Sequence, residues 1–529
     1  MLKLAAVVLV GFAAAAQPVL LGKPVTAKLA GGEQHEYALR LRAGMFAHVV
    51  VEQQGIDVVV TAHAPDGKVI AEIDSPNGAR GPEPLGFAAA ATGTHRVVVR
   101  SFDAKAAAGE YTIRVDELLS PAEYRARLAE ELRREAAVTK WLREQAMAFD
   151  DLAPLANTLR DARVVGLGEA THGSHEIFTV KQRLIEHLVT KLGFRMIAFE
   201  GTASGAAAIN AYIQGGDDRA AMNAALDSIW ITSNSEVRAL VEWLRTHNAS
   251  TTDRVTFVGL DPQGSASAIA TLRAFPIEER VRPLLEIVRT EDEKSNRFER
   301  TNITPEQVQG LEHLIAWLVA REGELVRRTS SRDYAAALDA ARLLVQFAQF
   351  NSSLPDAMTR DAAMAENFFR AMQRQPGTRA IVWAHNAHIS TSDRSSYKPL
   401  GTLLRNAYGN GYYAIATSFE RGAFLAQVPG STPPDVRAFT VPAAPRGTID
   451  AVLAAMNLPL AFVDLRKPAP PVVAEWLGQP RRMHWIGALY ADTFTEAQRF
   501  QPFVVNRDFD GVAFIATTSA ARAVTTPAR

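Results

Sequence analysis

The chain has 529 residues, with 57 basic against 57 acidic side chains, 47% hydrophobic residues and no cysteine. Its length exceeds that of one ordinary domain, and its balanced charge leaves no electrostatic footprint for nucleic acid. The absence of cysteine excludes disulfides, thiolate nucleophiles and cysteine metal sites.

Taken in order, Lys3 is followed by an apolar run from Leu4 to Ala15, with Ala14-Ala15-Ala16 standing before Gln17. That is the pattern of an export signal spanning residues 1–16, removed to leave a periplasmic or secreted chain. The run is shorter than the ~20 residues a bilayer span needs, and no later stretch is long and apolar enough to cross a membrane.

From Val19 to Leu118 the pattern changes to short alternating runs: His35 to Leu41, Phe46 to Glu52, Asp57 to His63, Lys68 to Asp74, Thr94 to Ser101 and Tyr111 to Asp116. Gly-Gly, Pro-Asp-Gly and Pro-Asn-Gly turns separate them, as in an antiparallel β-sandwich. Ending in GEYTIRV, the segment resembles the jelly-roll accessory domains of secreted bacterial hydrolases. His35, His48, His63 and His95 are scattered over separate runs, so binding of a surface ligand, or a spacer role, fits it better than chemistry. Residues 119–150 read as a charged linker helix.

Beyond Asp151 short β-branched or aromatic runs alternate with helical segments, the signature of an α/β domain with a mainly parallel sheet, here running to about residue 520. The expected strands are Val164 to Leu167, Arg195 to Phe199, Val255 to Gly259, Ala380 to Trp383, Tyr412 to Thr417, Ala461 to Val463 and Gly511 to Ile515. Polar or ionisable residues stand just past the first six: Glu169 and His172, then Glu200, Asp261, His385 with His388, Ser418 with Glu420, and Asp464. A parallel sheet brings such strand ends to one edge, where ligands bind. The helical stretch at about 277–350 reads as an insertion arching over that edge. Its Trp317, Phe347 and Phe350 would either wall the site or, better matched to helical spacing, pack the insertion's own core. Phe424 to Arg446, rich in proline and glycine, reads as a lid or a surface loop.

The densest signal is RVVGLGEATHGSHEIFTVK at Arg163 to Lys181. Glu169 and His172 sit in the turn between a buried strand and an amphipathic helix, where unpaired N–H groups favour negative charge. With Ile177 at zero and about 100° per residue, Lys181 falls near the middle of the helix's apolar face. A charge there needs a partner, and its long stem can reach back toward Glu169 and His172.

Together, GEATHG at Gly168 to Gly173, GFRMIAFE ending at Glu200, GLD ending at Asp261, RDAAMAEN at Arg360 to Asn367 and WAHNAHI at Trp383 to Ile389 resemble the erythromycin esterase family over roughly Asp151 to Thr518. The resemblance implies an α/β hydrolase unrelated to the serine hydrolases, in which a histidine activates water to open a macrolide lactone, a route to antibiotic resistance. Carried over, the catalytic set is His172, Glu169, Glu200, His385, His388 and Lys181, the last standing where the family often has arginine; Asp261 falls to substrate binding. The partner implied is a small-molecule ester or lactone, with no cofactor. Two alternatives stay open: a metal-dependent hydrolase or metal/haem-binding protein using the same residues, all acceptable ligands, and a non-catalytic surface binder.

Overall fold

The computed structural model describes residues 17–75, 77–149, 151–294, 302–350, 358–394 and 397–524. The expected export signal, residues 1–16, lies outside the described residues. Two compact units form: one runs to Ala136 and takes in Thr493–Gln501, the other comprises Ala137–Asp492 and the chain from Pro502 on. The division falls within the helix Pro121–Gln145.

The first unit is a sandwich of a five-stranded and a four-stranded sheet around a core of Leu39, Val49, Val60, Val97, Tyr111 and Ile113. Three of its strands were not among those expected from sequence, the two-residue Gln17–Pro18, then Arg80–Ala88 and Val25–Leu29. Arg80–Ala88 carries Pro82 and Pro84, which cannot donate to a ladder; it is an edge strand, pairing only with Phe46–Gln54 in the four-stranded sheet.

The second unit is built on a mainly parallel sheet. Its strands are β1 (Val164–Leu167), β2 (Met196–Thr202), β3 (Thr256–Asp261), β4 (Ala380–Trp383), β5 (Tyr412–Gln427), β6 (Val436–Val441), β7 (Leu460–Asp464) and β8 (Gly511–Thr518). The order across the sheet is β7, β8, β5, β1, β4, β2, β3, with Met147–Ala148 outside β7 and β6 paired to β5. Pairings from β8 to β3 are parallel. Strand β7, however, runs antiparallel to β8. Asp464 is therefore at the opposite edge from the other strand ends, where it accepts a hydrogen bond from Tyr413 Oη at 2.8 Å.

Two further stretches, each left open between a role at the site and another, take definite form. The proline-rich stretch from Phe424 to Arg446 is largely a hairpin, because β5 continues to Gln427 and pairs antiparallel with β6. As the better-matched expectation had it, the insertion packs a core of its own from Leu285, Leu311, Leu344 and Phe347, joined by Leu272 of the preceding helix, with Trp317 packed against it. Among the described residues it contributes nothing to the cavity at the strand ends.

Candidate active site

Helix α1 (His175–Leu192) is started by Ser174, whose side chain accepts the Ile177 N–H, and stopped by Gly193 in the left-handed region. That start leaves Gly168 to Gly173 as the connection from β1. A Cβ on Gly168 would strike Asn386, and one on Gly173 would strike the backbone of Leu425, so both glycines are there for close approach. At β2 the register shifts between Phe199 and Thr202, and Glu200 sits in that irregularity. Such bulges re-aim a side chain. Asp261 ends β3. His385 is the N-cap of α2 (Asn386–Ile389), on which His388 lies.

Six of the seven residues singled out in the sequence, Glu169, His172, Glu200, Asp261, His385 and His388, line one cavity of about 670 Å³. Volumes of several hundred Å³ are usual for small-molecule sites. Lys181 is fully buried beneath it.

Two polar clusters form the floor. In the first, Glu169 Oε1 lies 2.5 Å from His172 Nδ1, while Oε2 accepts from Lys181 Nζ at 2.6 Å and Trp383 Nε1 at 2.8 Å. Burial alone would raise the Glu169 pKa, but Lys181 and His172 outweigh it and hold it down to about 2. Burial draws Lys181 down to about 8, with the Glu169 ion pair offsetting part of the cost. Lys181 also lies 4.7 Å from the centre of the Trp383 ring, a cation–π contact.

The second cluster centres on Arg360, the first residue of α3 (Arg360–Arg374). Its guanidinium grips Asp261 through Nε at 3.1 Å and Nη2 at 2.6 Å, and Nη2 also donates to Glu200 Oε1 at 2.9 Å. Glu200 Oε2 accepts the His385 backbone N–H at 2.7 Å. Burial opposes ionisation of Glu200, yet His388 and Arg360 hold its pKa well below the ordinary carboxylate value. His388 Nδ1 is 2.8 Å from Asp361 Oδ1. Burial disfavours its charge, but Asp361 and Glu200 prevail and push its pKa up to about 10.

His385 is in the opposite state. Its Nδ1 accepts the Ala387 N–H at 3.2 Å, so the ring proton resides on Nε2. Nε2 is buried and has no hydrogen-bond partner among the described residues. Burial and the neighbouring His172, 5.1 Å away between ring centres, drive the His385 pKa down to about 3. Its other face meets Trp485 edge-on at 5.1 Å.

Sequence reasoning did not assign roles to Arg360, Asp361, Trp383, Tyr397 or Trp485. Arg360 and Asp361 lie within the RDAAMAEN motif, but polar residues opening an amphipathic helix read as ordinary surface. Tyr397 lines the cavity; burial, reinforced by Asp361, pushes its phenol up to about 12. The aromatic and aliphatic side of the cavity comes from Trp230, Ile231, Val436, Trp485 and Leu489.

The donors fit a metal ion poorly. Glu200 and Asp261 are already matched to Arg360, and both His388 nitrogens face protein partners. Among the described residues no three His, Asp or Glu side chains group as a ligand set.

Residues 189–518 match the family described as Erythromycin esterase, a segment that includes Glu200, Asp261, Arg360, His385 and His388 and lies beyond Glu169 and His172. The Escherichia coli erythromycin esterase type II is 24% identical over 320 residues, which span 53% of this chain and 74% of that protein. A Bacillus cereus protein of known crystal structure shares the fold with a TM-score of 0.63 at 24% identity, covering 74% of this chain and 99% of its own. A mutant of the erythromycin esterase EreC in its open conformation gives 0.52 at 18% identity, covering 72% and 97%. Since the matched segment exceeds half of the sequence, the chain belongs to the erythromycin esterase family.

Proposed function

We propose that this hydrolase cleaves carboxylic esters, macrolide lactones among them, by direct attack of water activated by His172. The observation that carries the reading is the facing of two imidazoles with complementary roles across one cavity. Glu169 takes the Nδ1–H of His172 and leaves its Nε2 lone pair for a proton, as the carboxylate does in a catalytic triad. His385 is neutral and offers an Nε2–H donor.

In the first step His172 Nε2 takes a proton from water as the oxygen bonds to the ester carbonyl carbon. The carbonyl electron pair moves onto oxygen, and the His385 Nε2–H meets the developing oxyanion. Collapse breaks the bond to the leaving oxygen, which takes the proton back from His172, giving an acid and an alcohol. The imidazolium formed in between is stabilised by Glu169, whose charge Lys181 and Trp383 hold in place. Arg360, His388 and their carboxylates keep the opposite wall in register. The sequence offers no cysteine and no G-x-S-x-G elbow, Ser418 is buried against Asp450 outside the cavity, and the serine and threonine that line it, Ser228 and Thr232, donate to the backbone carbonyls of Ala225 and Leu226, so direct attack by water is the simplest route.

Incubation with a panel of aryl esters and macrolides, read by mass spectrometry, tests this. Gain of one water at a lactone, or release of acid and alcohol from an ester, is expected. A protein inert toward every ester and lactone would refute it. Export is inferred from the apolar run at residues 4–15, with a mature chain starting at Gln17; a chain retained in the cytoplasm with Met1 or Leu2 at its start contradicts that.

A further inference from the structure

We propose that Asp361 is a positioning residue that keeps His388 as a cation, and that this cation, through Glu200, sets the backbone from which His385 presents its Nε2–H. The geometry of His388 poses a choice. Its Nε2 is 3.0 Å from Arg360 Nη1 and 3.3 Å from Glu200 Oε1. A neutral ring with its proton on Nδ1 would accept from Arg360; a charged ring donates to Glu200.

The surroundings decide between the two. Asp361 from α3, Glu200 from β2 and Asp261 from β3 bring three carboxylates against the cation of Arg360, while Lys181, whose charge also reaches Glu200, is matched by Glu169. Tyr397 and the neutral His385 add no charge. With His388 neutral, a buried cluster would hold two uncompensated negative charges; with it protonated, one. Asp361 is only 3% exposed, and its Oδ1 also accepts the Leu400 N–H at 2.8 Å, so its side chain is fixed from two directions. The charge thus runs in sequence from Asp361 to His388 to Glu200, whose other oxygen holds the His385 N–H at 2.7 Å. His388 is on this account a structural cation, and His172 the base. The meaning given to His385 rests on the proposed function; the charge state of His388 does not.

Asp361→Asn is the direct probe, because asparagine Oδ1 can still accept from both His388 Nδ1 and Leu400 N while carrying no charge. Full-length protein labelled with ¹⁵N-imidazole histidine, with the His388 signal identified by its loss in His388→Gln, should show an imidazolium at pH 8 in the wild type and a neutral ring in Asp361→Asn. A neutral His388 in the wild type at pH 8, which needs no variant to fold, overturns the proposal; so does an imidazolium that survives the substitution.

The second readout is the pH profile of kcat/KM on an ester. Relative to wild type, Asp361→Asn should lose about tenfold more activity at pH 8 than at pH 6, the change expected when a neighbouring carboxylate is removed and a pKa falls by about three units, the upper end for one opposite charge. An equal loss at both pH values marks a merely structural role and contradicts the inference. If the wild type hydrolyses no ester at all, the functional reading falls and the imidazole signal still decides this one.

Discussion

Glu169 holds three donors at once, His172, Lys181 and Trp383, from a position 2% exposed. The pair it forms with Lys181 is closed to water, and removing one partner of such a pair leaves a bare buried charge. Lys181→Met should therefore cost about 3–5 kcal/mol of stability, whereas Lys181→Met with Glu169→Gln should cost less than the sum of the two single changes. Thermal unfolding of the four proteins checks this; strict additivity would show that the two groups do not interact. The sequence made this pair legible, because a lysine in the middle of an apolar helical face demands a partner. Arg360 and Asp361 were not legible in the same way. At a helix start a charged residue is ordinary, and only the fold shows that both side chains turn inward to Asp261, Glu200 and His388.

Among the elements, the strands of the parallel sheet could be read because each is a short buried run, and their ends carried the ionisable residues. Strand β6 was hidden by the prolines and glycines on either side of it, which ordinarily mark loops; its ladder to β5 shows a hairpin instead. Arg80–Ala88 was masked by Pro82 and Pro84, tolerable only because that strand is at an edge. The direction of β7 was also unreadable, since a buried run looks the same whichever way it enters a sheet. The hairpin brings Val436 to the cavity. A carboxylate there would meet an otherwise apolar part of the wall, so Val436→Asp should raise KM by about tenfold or more with little change in kcat, the pattern of lost ground-state binding. A fall in kcat at constant KM would contradict that placement. Trp317, in the insertion's own core, behaves differently: Trp317→Ala should lower stability and leave KM unchanged, as checked by unfolding and steady-state rates.

At the scale of the whole molecule one buried carboxyl in each unit, Glu83 and Glu169, responds to pH in the opposite direction to the other. In the sandwich, burial pushes the fully buried Glu83 from 4.5 up to about 7, with hydrogen bonds from Ser75 only partly opposing it. A carboxyl whose pKa is raised on folding contributes stability that is complete below 4.5 and is lost as pH climbs through about 7. In the other unit Glu169, lowered from 4.5 to about 2, contributes stability present above 4.5 and lost as pH falls toward 2. Calorimetry from pH 5 to 8 should show the sandwich transition falling by a few degrees, and Glu83→Gln should flatten that slope; a transition that rises with pH contradicts it. The central claim is nonetheless chemical: side chains from Glu169 to His388, more than two hundred positions apart, converge so that one imidazole can act as a base. The most direct measurement is turnover by His172→Ala beside its thermal unfolding. The account predicts that turnover falls by about 10²–10⁴ while the unfolding temperature stays within a few degrees of wild type; turnover equal to that of the wild type would contradict it.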